Sequence, residues 1–204
     1  MGENLIPTQL LVVRHGITDW NRERRLQGWT DMALNETGRQ QAADTAVLLQ
    51  GIKIDAVYAS DLARAADTAS IITGIIGGAP ELDPRLRERD MGDFEGRLMD
   101  EVIASFPNVS KPFSLFTHEV PVPAGEQIQV FYERCIGAAQ QLAQKHAGGT
   151  LLLVCHGGVV NCMLNRVYHP DGDILAQYPI VGNAAITRFQ LETTNDTCHW
   201  RLEE

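Results

Sequence analysis

Cysteine is scarce and unpaired in this chain. Cys135, Cys155, Cys162 and Cys198 form neither a C-x-x-C motif nor a zinc-like spacing, which argues against a disulfide framework and reads as reduced thiols of a cytosol. Positive charge is also in deficit. The 17 Lys and Arg face 26 Asp and Glu, a formal net charge of -9 over 204 residues. No general attraction to nucleic acid or to an anionic membrane is expected, and any anion site must be local. The first residues, MGENLIPTQLLVV, carry no cationic region ahead of an apolar segment, and Ile6 stands where a myristoylation signal needs Ser or Thr. The reading is a cytoplasmic protein, neither exported nor anchored. Three N-x-S/T triplets, at Asn35, Asn108 and Asn195, are then turn or cap residues rather than glycosylation sites. A Walker-type glycine-rich loop and a dense Asp cluster are both missing, so Mg²⁺ is not needed, and His118, His146, His169 and His199 show no ligand spacing. Neither a metal nor a cofactor is expected.

What the chain does have is 44% hydrophobic content, enough for one substantial core and too little length for two independent domains, so a single domain over residues 1–204 is expected. Residues 10–13 form a short apolar strand of the kind buried on both faces. A helix follows from about residue 35 to 49, with Ala42, Ala46 and Leu49 on one face, then a strand at 55–59. Ser60 or Asp61 can cap a helix running to about residue 76, where Gly77 and Gly78 break it. A short strand lies near Glu81 and Leu82. Residues 80–123 are irregular and carry Phe106, Phe113 and Phe116, a stretch read as an inserted lid at about 96–125. A long helix over about 126–146 leads to the strongest strand, 150–155, then Gly157, Gly158 and another helix, with closing strands at 184–191 and 198–202. Strands alternating with helices predict an α/β fold, a three-layer α/β/α sandwich with a mostly parallel central sheet and an inserted lid.

In such sheets ligands bind beyond the carboxyl ends of the strands, and three strands here end on unusual residues. The first ends in Arg14-His15-Gly16, the second is followed by Ser60-Asp61-Leu62-Ala63-Arg64, and the late strand ends in His156-Gly157-Gly158. Helical side chains lean toward the N-terminus, so Arg64 reaches back to the same crevice. Two arginines and two histidines gathered together need a counter-ion, and until one arrives the arginines hold the histidines neutral. Phosphate matches the set: guanidinium binds its oxygens bidentately, and the helix N-terminus behind Gly157 and Gly158 offers amide donors. A histidine nitrogen can attack phosphorus, and one carboxyl can protonate the leaving alkoxide and then deprotonate the incoming water. Glu88 in RLRERDMGDFEG is the preferred carboxylate, with Asp90, Asp93 and Glu95 as neighbours that the sequence alone does not separate from it. Taken singly, His156 also fits a satisfied core histidine, Arg64 an exposed arginine paired with Asp61 or Asp67, and the three Phe a lid packed on the core.

Together these stretches resemble the histidine phosphatase superfamily, also called phosphoglycerate mutase-like, in its branch of broad-specificity phosphatases. LVVRHGITDWN is similar to its nucleophile motif, RLQGWTDMALNETGRQQA to the loop and helix after it, YASDLARAADTA to its second-arginine motif, LRERDMGDFEG to its acid motif, VPAGEQIQVFYER to the start of its long helix, and LLVCHGG to its second-histidine motif, in the same order. The resemblance implies His15 as the phosphorylated nucleophile, Arg14, Arg64 and His156 as phosphate ligands, Glu88 as proton donor, and Asn21, Gln27 and Gly28 as substrate contacts. Mutases of this type carry a longer, more basic insertion between acid and second histidine, so a phosphomonoesterase acting on a small phosphorylated metabolite is expected over a phosphoglycerate mutase. Met32, Gln127 and Asn161 depart from residues common in relatives, and Asn161 weighs against a ribazole phosphatase. A non-catalytic phospho-ligand sensor is the rival from another class.

Overall fold

The computed structural model describes residues 7–106, 121–170, 181–193 and 198–203. Its centre is a six-stranded sheet in the order β3-β2-β4-β1-β5-β6. Strands β1 (Thr8–Arg14), β2 (Ala56–Ala59), β3 (Glu81–Leu82) and β4 (Thr150–Cys155) run parallel, and β5 (Ile186–Thr193) and β6 (Cys198–Leu202) extend the sheet antiparallel. Alternation along β1 and β4 splits the core in two. Leu10, Val12, Leu151, Leu153 and Cys155 face α5 (Ile128–Lys145) and α6 (Gly157–Tyr168), while Leu11, Val13, Leu152 and Val154 face α2 (Glu36–Leu49) and α3 (Ala63–Ile76). The expected three-layer α/β/α architecture with a mostly parallel sheet is therefore what forms. No helix among the described residues is long and apolar enough to cross a membrane.

Register does the positioning. Val13 of β1 and Ala59 of β2 both pair with Val154 of the central strand β4, so the three carboxyl ends stop level and deliver His15, Ser60 and His156 to one edge. The loop leaving β1 then lies backbone against backbone on the first turn of α2. A Cβ added at Gly16 would fall 2.4 Å from the Gly38 carbonyl oxygen, and one at Gly38 would fall 2.2 Å from that of Ile17. Asn35, from one of the N-x-S/T triplets, is the N-cap of α2 and accepts from Gly38 N–H at 2.9 Å.

Several sequence expectations need adjustment. Helix α3 begins at Ala63 with neither Ser60 nor Asp61 as its cap; the Asp31 carboxylate accepts from Ala63 N–H at 2.7 Å from across the fold. Asp61 instead receives Arg87 bidentately at 2.7 and 2.6 Å, and Ser60 turns toward His156. The closing strand starts at Ile186 rather than 184, because Ala184 adopts a left-handed φ of 59° that no strand accommodates. A single-turn helix, α1 (Asp19–Arg22), carries a capping box between Thr18 and Asn21, in a stretch too short to show periodicity. Of the expected lid, the described part holds α4 (Met99–Ala104), and Phe106 packs edge-on against Phe94 at 5.9 Å. Phe113 and Phe116 lie outside the described residues.

The Gly16–Gly38 contact gives a direct test. Gly38→Ala is expected to cost about 2 kcal/mol, since neither backbone can yield, and to lower Tm by roughly 4–8 °C for a chain of this size. Thermal denaturation by circular dichroism measures it, and an unchanged Tm would refute the contact.

Candidate active site

Each member of the site is set by its backbone first. His15 N–H donates to Cys155 O at 2.9 Å, continuing the β1–β4 ladder one residue beyond the strand. Asn183 Nδ2 donates to His15 O at 3.0 Å, and Gly16 N–H donates to Thr68 Oγ1 at 3.0 Å. The same Thr68 hydroxyl donates to Arg64 O at 2.7 Å, so one side chain ties the histidine loop to the helix that carries Arg64. His15 Nδ1 lies 2.7 Å from Gly16 O. A carbonyl accepts only, so Nδ1 bears the proton and Nε2 keeps its lone pair.

Arg14, His15, Asn21, Gln27, Gly28, Arg64 and Glu88, seven of the eight residues picked from the sequence, line one narrow pocket of about 80 Å³. His156, the eighth, stands behind His15, fully buried, with ring centroids 5.2 Å apart and its Nε2 2.8 Å from Ser60 Oγ. Arg64 is also fully buried. Its two terminal nitrogens donate to Gly28 O at 2.7 Å and Thr30 O at 3.0 Å, and Arg14 Nη1 donates to Val181 O at 2.6 Å. Both guanidiniums are thus held by neutral carbonyls rather than by carboxylates, and the Nε atoms of both are buried without a partner among the described residues. Burial pushes the Arg64 guanidinium down to about 10 and lowers Arg14, with Glu88 as the leading opposing charge for each. For His15 and His156, burial first, then Arg64, then the other charges nearby, holds both well below the ordinary histidine range. The arginines keep the histidines neutral as expected, but burial is the larger cause.

The four neighbouring carboxylates separate by geometry. Glu88 lines the pocket and accepts from Arg89 N–H and Gly158 N–H, both at 3.0 Å. Glu95 faces the loop instead, accepting from Trp29 N–H at 2.7 Å, Thr30 N–H at 2.8 Å, Thr30 Oγ1 at 2.5 Å and Met91 N–H at 3.2 Å. Asp90 accepts from Gly92 N–H, and Asp93 opens a short 3-10 turn. The expectation that Gly158 N–H serves phosphate is corrected here: that donor is spent on Glu88, which comes so close that a Cβ on Gly158 would sit 2.2 Å from Glu88 Oε1. Asn21 and Gln27 reach the pocket through Thr18, whose hydroxyl lies 3.1 Å from Asn21 Oδ1 and 3.0 Å from Gln27 Oε1.

Four supports escaped sequence reasoning. Arg134 on α5 holds Glu126 bidentately at 2.8 and 2.7 Å and donates to the carbonyls of Arg85, Arg87 and Glu88, fixing the segment that presents Glu88. Trp29 Nε1 donates to Glu88 O at 2.8 Å. Thr68 and Asn183 anchor the His15 backbone. Arg134 falls within the same motif as its partner Glu126, yet the three contacts that fix the Glu88 segment go to carbonyls, which no residue pattern reveals.

An α/β sheet that collects a lone-pair histidine, a fully buried and a half-buried arginine and a carboxylate beyond its strand ends defines a class of anion-handling protein. The chain belongs within it to the histidine phosphatase superfamily (branch 1), whose sequence profile matches residues 10–202. It is 41% identical over 167 residues to phosphoglycerate mutase-like protein 4 of Arabidopsis thaliana, covering 80% of this chain and 73% of that one. It is 37% identical over 159 residues to a probable phosphoglycerate mutase of Cronobacter sakazakii, covering 78% and 74%. Among solved structures it is similar to Bacillus stearothermophilus YhfR, with a TM-score of 0.81 at 32% identity over 96% of both chains, and to a mycobacterial glucosyl-3-phosphoglycerate phosphatase in complex with VO3, with a TM-score of 0.80 at 28% identity over 96% of both. Phosphatase and mutase activities both occur among these names.

The buried neutral histidines make stability depend on pH. Their folded pKa values lie below the unfolded value near 6.5, so the unfolded chain takes up protons first, and stability present above about pH 6.5 is lost as pH falls below it, by about 1.4 kcal/mol per unit for each histidine. In urea titrations between about pH 6 and pH 5, His15→Asn should fall less steeply than wild type by that one-proton slope. Parallel slopes would mean that folded His15 is already charged.

Proposed function

We propose that the chain is a phosphomonoesterase, independent of metal, that hydrolyses a small phosphorylated metabolite through a phosphohistidine on His15. The observation that carries this reading is the set of unspent groups around one pocket: the His15 Nε2 lone pair beside the half-buried Arg14 and the fully buried Arg64, whose hydrogen bonds to carbonyls leave their charge unneutralised. Nε2 attacks phosphorus, the bond to the ester oxygen breaks, and the Glu88 carboxyl gives a proton to the departing alkoxide. Water then loses a proton to Glu88 and attacks the phosphorus, the N–P bond breaks, inorganic phosphate leaves and His15 regains its lone pair. Arg14 and Arg64 stabilise the equatorial oxygens throughout, supplying the charge that a metal provides elsewhere. His156 stays neutral behind the nucleophile, tied to Ser60.

The relatives carry both phosphatase and mutase names, and hydrolysis is preferred because of the pocket wall beyond the phosphate. Among the described residues that wall is Leu26, Met91 and Met99, and the further cation there, Arg25, is engaged by Glu23 at 2.6 Å and Gly96 O at 2.8 Å. A mutase must hold a phosphoglycerate carboxylate while phosphate moves between hydroxyls, and this wall offers it little.

Phosphate release from alkyl and aryl monoesters in the presence of chelator tests the reading. His15→Ala is expected to lose turnover by orders of magnitude on every ester; retained turnover ends the covalent scheme. Glu88→Gln should slow alkyl esters by about 10²–10⁴-fold and aryl esters far less, because aryloxide leaves without help; equal losses remove Glu88 as the acid. Phosphate kept on product with dependence on a bisphosphoglycerate primer would indicate the mutase, and saturable binding without turnover the sensor.

A further inference from the structure

Asn161 lies on α6, on the wall of the pocket that also holds His15 and Glu88. Its Oδ1 is buried and has no hydrogen-bond partner among the described residues. A buried carbonyl oxygen left unpaired is costly, and folded proteins keep few. The unpartnered atoms of Arg14 and Arg64 in the same pocket are N–H donors, and an ionised phosphoryl group, which offers only acceptors, matches them. It does not match Asn161 Oδ1. That atom asks for a donor elsewhere on the substrate.

The remaining wall narrows the kind of donor. Leu26, Met91 and Met99 are apolar, and Arg25 already donates to Glu23 and to Gly96 O. An ammonium group would compete with the arginines for the phosphate and add to the positive charge already buried there. A carboxylate would bring further acceptors beside Glu88 and Asn161 Oδ1 and, once Arg14 and Arg64 hold the phosphoryl group, would find no unspent cation among the described lining residues. A neutral hydroxyl fits, since a carboxamide presents an acceptor and a donor side by side and a hydroxyl is both. We propose, on the basis of the phosphatase reading above, that Asn161 selects hydroxyl-bearing, uncharged leaving groups, those of polyol or sugar phosphates, by accepting a hydrogen bond from the hydroxyl at Oδ1.

Three esters on one carbon skeleton test this: n-propyl phosphate, glycerol 3-phosphate and 3-phosphoglycerate, assayed with wild type, Asn161→Ala and Asn161→Leu, with wild-type hydrolysis of p-nitrophenyl phosphate alongside. The readout is the ratio of kcat/KM values between esters, which a general loss of packing does not move. Wild type is expected to favour glycerol 3-phosphate over n-propyl phosphate by roughly tenfold or more, and to rank 3-phosphoglycerate below glycerol 3-phosphate. In both variants the first ratio should fall to about one; Leu keeps the branching of Asn without its polar atoms, and with Ala it brackets the size of the side chain, so agreement between the two separates the lost hydrogen bond from a lost contact. A wild-type ratio near one, or variants that retain the wild-type ratio, overturns the role of Asn161 while hydrolysis of p-nitrophenyl phosphate keeps the phosphatase reading intact. Should wild type release no phosphate from p-nitrophenyl phosphate or any other ester, the phosphatase reading falls and the role of Asn161 with it.

Discussion

Positive charge buried without full neutralisation is the constraint on which the rest of this structure turns. Arg64 is fully enclosed, yet its terminal nitrogens rest on the carbonyls of Gly28 and Thr30, and Arg14 rests on that of Val181. Carbonyl oxygens satisfy N–H geometry while contributing only a dipole, so the hydrogen bonds are made and the net charge remains. Had carboxylates taken those places, both arginines would be structural ion pairs with nothing left for an anion. Glu88 offsets part of the excess, and the two histidines respond by staying neutral.

Holding such a cluster together requires a scaffold that cannot relax, and close backbone approach supplies it. Four glycines make three contacts: Gly16 against Gly38, Gly158 against Glu88, and Gly28, with φ of 51°, against Glu95 and the Met91 backbone. In each case a Cβ would occupy space already taken by a carbonyl or carboxylate oxygen. The segment that presents Glu88 is fixed in turn by Arg134, which gathers three consecutive-region carbonyls around one guanidinium paired to Glu126. The chemistry-bearing side chains are therefore few, and most of the polar residues around them act on backbone.

This division explains how much was legible in the sequence. The strands announced themselves through apolar runs, and the strand ends through Arg14-His15 and His156, residue types that a buried turn does not tolerate without cause. From that alone the α/β/α order and the convergence of His15, Arg64 and His156 follow. What stayed hidden were contacts made to backbone N–H groups and carbonyls, which carry no residue identity: the grip of Arg134, the Thr68 bridge, the Asn183 clasp and the cap that Asp31 lends to α3. Ser60 looked like a helix cap because serine so often is one, and only the register of β2 against β4 shows it facing His156. Glu88 and Glu95 differ in role although they share one short motif, because the chain turns between them.

Thr68 has a consequence of a mechanical kind. Its hydroxyl receives Gly16 N–H and reaches back to Arg64 O, so the loop holding His15 is pinned to the same helical turn that carries the buried guanidinium. His15 is at the same time tied to the sheet through Cys155 O and to Asn183, so the spacing between histidine and arginine is fixed from the sheet and from the helix at once, with one oxygen atom joining the two.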